Sequence, residues 1–179
     1  TNSATQNITV NITDVNDAPV FTSSATFSAA ENQTAIGTGT ATDADGDTVT
    51  YTLSGSDASS MSINSSSGVL IFNSAPDYET KSSYTATITA SDGTNSATQN
   101  ITVNVTNVND NTPSITSSAT FSAAENQTAI GTISASDPDG DTVTYSLSGT
   151  DASSISINSS SGVLTFNSAP DYETKSSYT

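Results

Sequence analysis

The chain has 179 residues, 18 of them Asp or Glu against two cations, Lys81 and Lys175, for a formal charge of −16. That sign excludes a nucleic-acid partner, which draws Lys- and Arg-rich surfaces, and an anionic membrane surface, while the absence of Cys excludes disulfides and thiolate metal sites. Apolar residues make up 32%, a thin supply for a core, so a metal or a neighbouring domain is expected to help stabilise the fold.

Taken in chain order, the apolar residues recur with period two, the spacing of strands. Residues 1–17 end in "NITVNITDVND", a strand-like run followed by a polar linker. Short strands are then expected at "ATFSAA" (25–30), "GTGTAT" (37–42), "TVTYTLS" (48–54), "MSIN" (61–64), "GVLIFN" (68–73), "YTATITA" (84–90) and "ATQNITVNVT" (97–106). In the third, Val49, Tyr51 and Leu53 alternate with Thr; in the last, Ile101, Val103 and Val105 point one way. Thr dominates the outward positions, and its β-branch suits strands. About seven strands per unit, broken by turn residues, predict an all-β, Ig-like sandwich. Tyr51, Tyr84 and Phe72 are expected in the core rather than on a sugar-binding platform. No apolar run approaches the ~20 residues of a membrane span.

The chain repeats itself. "TSSATFSAAENQTAIGT" (22–38) recurs at 116–132 and "NSAPDYETKSSYT" (73–85) at 167–179, both at an offset of 94; "TNSATQNITV" (1–10) recurs at 94–103, an offset of 93. Between 22–85 and 116–179 only eight of 64 positions differ. The expected organisation is the last strand and linker of a truncated upstream repeat (1–17), a complete repeat (18–110), and a repeat truncated before its last two strands (111–179). The length matches two repeat periods less the eight residues "ATITASDG", so the chain reads as a window on a linear tandem array. Strand exchange between separate subunits is the alternative, and residues 1–17 could replace the missing last strand but not those eight residues.

The carboxylates cluster. In the complete unit most of them fall at "AEN" (Glu31), "DADGD" (Asp43, Asp45, Asp47), "PDYE" (Asp77, Glu79), "SDG" (Asp92) and "NVNDN" (Asp110). Singly, each is a common turn or loop word. "DADGD" is not an EF-hand, because Gly46 holds its fourth position and Ser54 stands where the final Glu belongs. In this order and spacing, however, the five motifs resemble those of the cadherin repeat: a Glu motif, DxD, DxE, DxG and a DxNDN linker. The Thr/Ser-rich, near-identical copies resemble bacterial surface adhesins with cadherin-like repeats more than animal cadherins.

The resemblance implies Ca²⁺ at the junctions between repeats, an ion that takes 6–8 oxygen ligands. At the inner junction it implies Glu31, Asp77 and Glu79 from the preceding repeat. The linker would add Asn109, Asp110 and the carbonyls of Val108 and Asn111, and the following repeat Asp137 and Asp139. At the first junction it implies Asn16 and Asp17 with Asp43, Asp45 and Asp92. Glu125, Asp171 and Glu173 would serve a linker beyond Thr179. Two positions depart from the pattern: Asn107 stands where the first linker has Asp14, and Ala18 replaces the last linker Asn. The roles of Asp47 and Asp141 stay open.

The function implied is a calcium-rigidified structural extender of a long extracellular adhesin or surface filament, of the kind that builds biofilms. The alternative is a calcium-dependent binding module, homophilic or carbohydrate-binding. The partners implied are the neighbouring repeats and further copies in a fibre or on another cell. An enzyme is not expected: the chain has no His or Cys, and its carboxylates are shared across junctions.

Overall fold

The computed structural model describes all 179 residues, and the chain divides into two compact units, Thr1–Asn107 and Val108–Thr179. Unit 1 contains β1 (Val20–Phe21), β2 (Thr26–Ala30), β3 (Ala35–Thr38), β4 (Ala41–Thr42), β5 (Thr50–Ser54), β6 (Met61–Ile63), β7 (Val69–Phe72), β8 (Ser83–Ser91) and β9 (Ser96–Thr106). They form a four-stranded sheet in the order β2-β9-β8-β5 and a three-stranded sheet in the order β3-β7-β6, with β1 and β4 paired beside them. The pairing of β2 with β9 is parallel; the others are antiparallel.

The core lies where the period-two pattern placed it. Ile101, Val103 and Val105 of β9 are buried together with Ile88 of β8 and Leu70 and Phe72 of β7. Tyr51 is buried, and its hydroxyl oxygen accepts the Ala41 N–H at 2.9 Å. Tyr84 packs edge-on against Phe72, ring centres 4.9 Å apart. The expected strand at 37–42 is split into β3 and β4 because the chain changes partner at Gly39: β3 pairs with β7, β4 with β1, and the Gly39 N–H donates to the Gly68 carbonyl. Gly68 has φ +70°, and a Cβ there would lie 2.0 Å from the Gly39 oxygen. Gly68 is needed for that close backbone approach; Gly39 is not, since Ile133 stands in its place in unit 2 and donates its N–H to the Gly162 carbonyl in the same way.

Residues 1–17 form no strand. Ile8, Val10 and Ile12 stand exposed, although the same words become β9 at 94–106. The difference is pairing: β9 is hydrogen-bonded between β8 and β2, and residues 1–13 have no such neighbours.

Unit 2 contains β10 (Ser114–Ile115), β11 (Ala129–Thr132), β12 (Ala135–Ser136), β13 (Ile155–Ile157) and β14 (Val163–Phe166), with β10 paired to β12 and a sheet in the order β11-β14-β13. Residues 120–124 repeat the sequence of β2 and form no strand. The reason is again pairing, since β2 depends on β9 and residues 108–179 include no copy of it.

Candidate metal centre

The acidic residues of unit 1 gather at the two ends of its long strands. β9 runs eleven residues, from beside the Asp92 turn to Thr106, and at ~3.3 Å per residue that places the two groups on the order of 30 Å apart.

At the far end, Glu31 follows β2 and is only 3% exposed. Its backbone N–H donates to the Thr106 carbonyl at 3.2 Å, and Asn32, in the left-handed conformation at φ 62°, donates to the Pro76 carbonyl at 3.0 Å. Glu31 Oε2 accepts the Tyr78 N–H at 2.8 Å. This draws the 77–81 turn toward Glu31, and carboxylate oxygens of Glu31 and Glu79 lie within 4.8 Å of each other. Asp77 also caps that turn, accepting from the Thr80 N–H at 3.2 Å and the Thr80 hydroxyl at 2.8 Å. Those bonds, the Thr80 hydroxyl first, hold its carboxyl below the usual Asp range.

At the near end, the linker is docked on the repeat that follows it. The Asn16 amide donates to Asp92 Oδ2 at 2.9 Å, the Asn95 amide donates to the Asn16 carbonyl at 2.9 Å, and the Asp17 N–H donates to Asp45 Oδ2 at 2.7 Å. Asp92 closes its own turn by accepting the Thr94 and Asn95 N–H groups, each at 2.6 Å, and these lower its pKa. Asp43 Oδ1 accepts the N–H groups of Asp45 and Asp47. Its other oxygen, Oδ2, is buried and accepts no hydrogen bond. A buried carboxylate oxygen without a donor is costly unless a cation satisfies it, so the donor set fits a hard, oxygen-seeking ion.

Unit 2 repeats these arrangements in part. Asp139 Oδ2 accepts the Asn111 N–H at 2.8 Å and the Asp110 N–H at 3.3 Å, and its Oδ1 accepts the Asn111 side-chain amide at 3.0 Å. Carboxylate oxygens of Asp110 and Asp139 lie within 4.8 Å. Asp137 Oδ1 accepts the Asp139 N–H at 3.0 Å. Asp141, whose role the sequence left open, accepts the Asn109 side-chain amide. Glu125, Asp171 and Glu173 bring oxygens within 4.8 Å of one another, all three residues exposed, and the Tyr172 N–H donates to Glu125 at 3.2 Å.

The structure thus brings Glu31 to Glu79, Asp110 to Asp139, and Glu125 to Asp171 and Glu173, while both Asp77 oxygens are taken by Thr80 and Asp43, Asp45, Asp92 and Asp137 are joined to their neighbours through amide donors. What sequence reasoning missed is the linker's hydrogen bonding to the DxD and DxG carboxylates and the capping role of Asp77. A signal for the latter was present, since Asp three residues before Thr is a capping pattern.

Residues 24–106 match the family model of the cadherin domain. No curated protein sequence matches the chain. Among solved structures, mouse cadherin-23 EC22-24 is similar at 25% identity with a TM-score of 0.75, over 88% of this chain and 56% of that one. Human protocadherin-24 EC1-2 is similar at 25% identity and TM-score 0.73, over 90% and 82%. Protocadherin gammaB7 EC3-6, a cis-dimer structure, is similar at 28% identity and TM-score 0.73, over 92% and 46%. The chain thus spans about half the length of the first and third of these.

Proposed function

We propose that this chain, whose residues 24–106 match the cadherin-domain model, is a calcium-binding extender of a long extracellular adhesin or surface filament of the bacterial kind, a structural module rather than an enzyme. In this reading Ca²⁺ at the junctions between repeats makes the array stiff. Bound there, the ion supplies positive charge and 6–8 oxygen-accepting positions to carboxylates that otherwise repel.

The observation that carries the reading is the pair of acidic end groups in unit 1. One end presents Glu31, Asp77 and Glu79; the other presents Asp43, Asp45 and Asp92 with the linker residues Asn16 and Asp17 already hydrogen-bonded to it. Head-to-tail repetition of such a unit offers one acidic group to the next at every junction. At the inner junction the ligands would be Glu31, Asp77, Glu79, Asn109, Asp110, Asp137 and Asp139, with the carbonyls of Val108 and Asn111. Because the linker amides rest on the DxD carboxylate of the following repeat, the freedom left for the ion to remove lies on the linker's upstream side. Isothermal titration with calcium tests this. Saturable binding at low-millimolar calcium or tighter is expected, and no heat of binding at any calcium concentration sinks the proposal.

A further inference from the structure

Each repeat of this chain has a single cation, and it is used in a specific way. Lys81 Nζ lies 2.5 Å from Asp57 Oδ1 and 4.7 Å from the centre of the Tyr84 ring. Asp57 is itself held to the start of β8: its N–H donates to the Thr85 carbonyl at 3.0 Å, and its Oδ2 accepts the Thr85 N–H at 2.8 Å. On its backbone side, Lys81 donates its N–H to the Asp77 carbonyl at 2.9 Å, closing the one-turn loop that carries Glu79. Lys175, Asp151, Tyr178 and Thr179 repeat the arrangement in unit 2.

We propose that Lys81, anchored on Asp57, is a positioning residue for calcium: it fixes the 77–81 turn so that Asp77 and Glu79 are held ready beside Glu31. The proposal rests on the calcium reading above. The turn is fastened at its start by the Asp77 cap and at Tyr78 by Glu31. Its exit is fastened by Lys81, just before the chain enters β8 at Ser83. Without that anchor the turn can unwind from its exit, and ligands that must be ordered on binding bind more weakly. Charge alone predicts the opposite sign, because deleting a cation makes the surroundings more negative and favours Ca²⁺. The direction of the change therefore decides between positioning and simple charge.

The experiment is a calcium titration of the 179-residue chain at fixed ionic strength, followed by NMR at two backbone amides. Asn111 reports the junction fed by Glu31, Asp77 and Glu79; Asp17 reports the acidic group at the opposite end of unit 1. Lys81→Met is expected to weaken the calcium response at Asn111 about tenfold, the size of effect typical for residues that orient metal ligands, while the response at Asp17 stays as in the wild type. Lys81→Arg, which keeps the charge and can still reach Asp57, is expected to restore most of it, and Asp57→Asn to reproduce the Met variant. Binding at Asn111 that is equal or tighter in Lys81→Met overturns the proposal, as does a loss shared equally by Asp17. A wild-type chain whose Asn111 ignores calcium overturns the calcium reading itself, a distinguishable result.

Discussion

Glu31 is the one charged side chain buried in unit 1, and Asp139 is the acceptor on which the inner linker hangs. Residues of this kind differ from the acidic residues that only shape turns. Asp110 belongs to the linker and lies within 4.8 Å of Asp139, whereas Asp47 offers its N–H to the Asp43 turn. Asp110→Ala is therefore expected to lower calcium affinity at the inner junction more than Asp47→Ala, and titration calorimetry of both variants checks it; unchanged stoichiometry and affinity in Asp110→Ala would refute the assignment. A pH dependence follows at the same scale. Asp57 is held below the usual Asp range, first by its hydrogen bond to Lys81 and then by that from the Thr85 N–H. A carboxyl whose folded pKa is depressed contributes stability above its unfolded pKa, about 3.9 for Asp, and loses it as pH falls through the folded value. Melting temperature below about pH 4 should thus fall more steeply in the wild type than in Asp57→Asn, as thermal circular dichroism across the acid range would show.

At the scale of elements, β9 is the strand on which unit 1 depends, since it pairs with both β2 and β8 and carries three buried apolar side chains. Ile101→Ala is expected to cost about 2–5 kcal/mol in denaturant unfolding. Thr98→Ala, on the exposed face of the same strand, is expected to stay within about 0.5 kcal/mol. Residues 120–124 copy β2 without a paired β9, so their amides carry no ladder bonds. Hydrogen exchange should be faster at 120–124 than at 26–30, although TFSAA stands in both; equal protection would mean that a partner strand reaches unit 2.

For the whole molecule the governing quantity is the charge of −16. Like charges ~4 Å apart repel by about 4 kcal/mol at an effective dielectric of 20, and calcium that binds only the folded chain adds about 2.7 kcal/mol at a hundredfold excess over its Kd. Chelation is expected to lower the melting temperature and calcium to restore it. If Ca²⁺ also removes the hinge upstream of the linker, small-angle scattering of this chain should give a longer and better-defined maximum dimension in millimolar calcium than in chelator. Equal dimensions would leave calcium binding intact and defeat the stiffening mechanism.

The sequence by itself determined the strand period, the inward row of Ile101, Val103 and Val105, the repeat, and the five acidic motifs, because each is a local pattern of residue types or a comparison of the chain with itself. Tertiary structure alone decided which copies of a sequence become strands. TNSATQNITV is unpaired at the start of the chain and contributes to β9 further on, because a strand's hydrogen bonds belong to its neighbours and not to its own residues. It also decided the split at Gly39, where two backbones approach from distant parts of the chain. The roles of Asp77, which caps its own turn, and of Lys81, which ties that turn to Asp57, were settled the same way. Asp57 and Lys81 are 24 residues apart, and only the fold makes them neighbours.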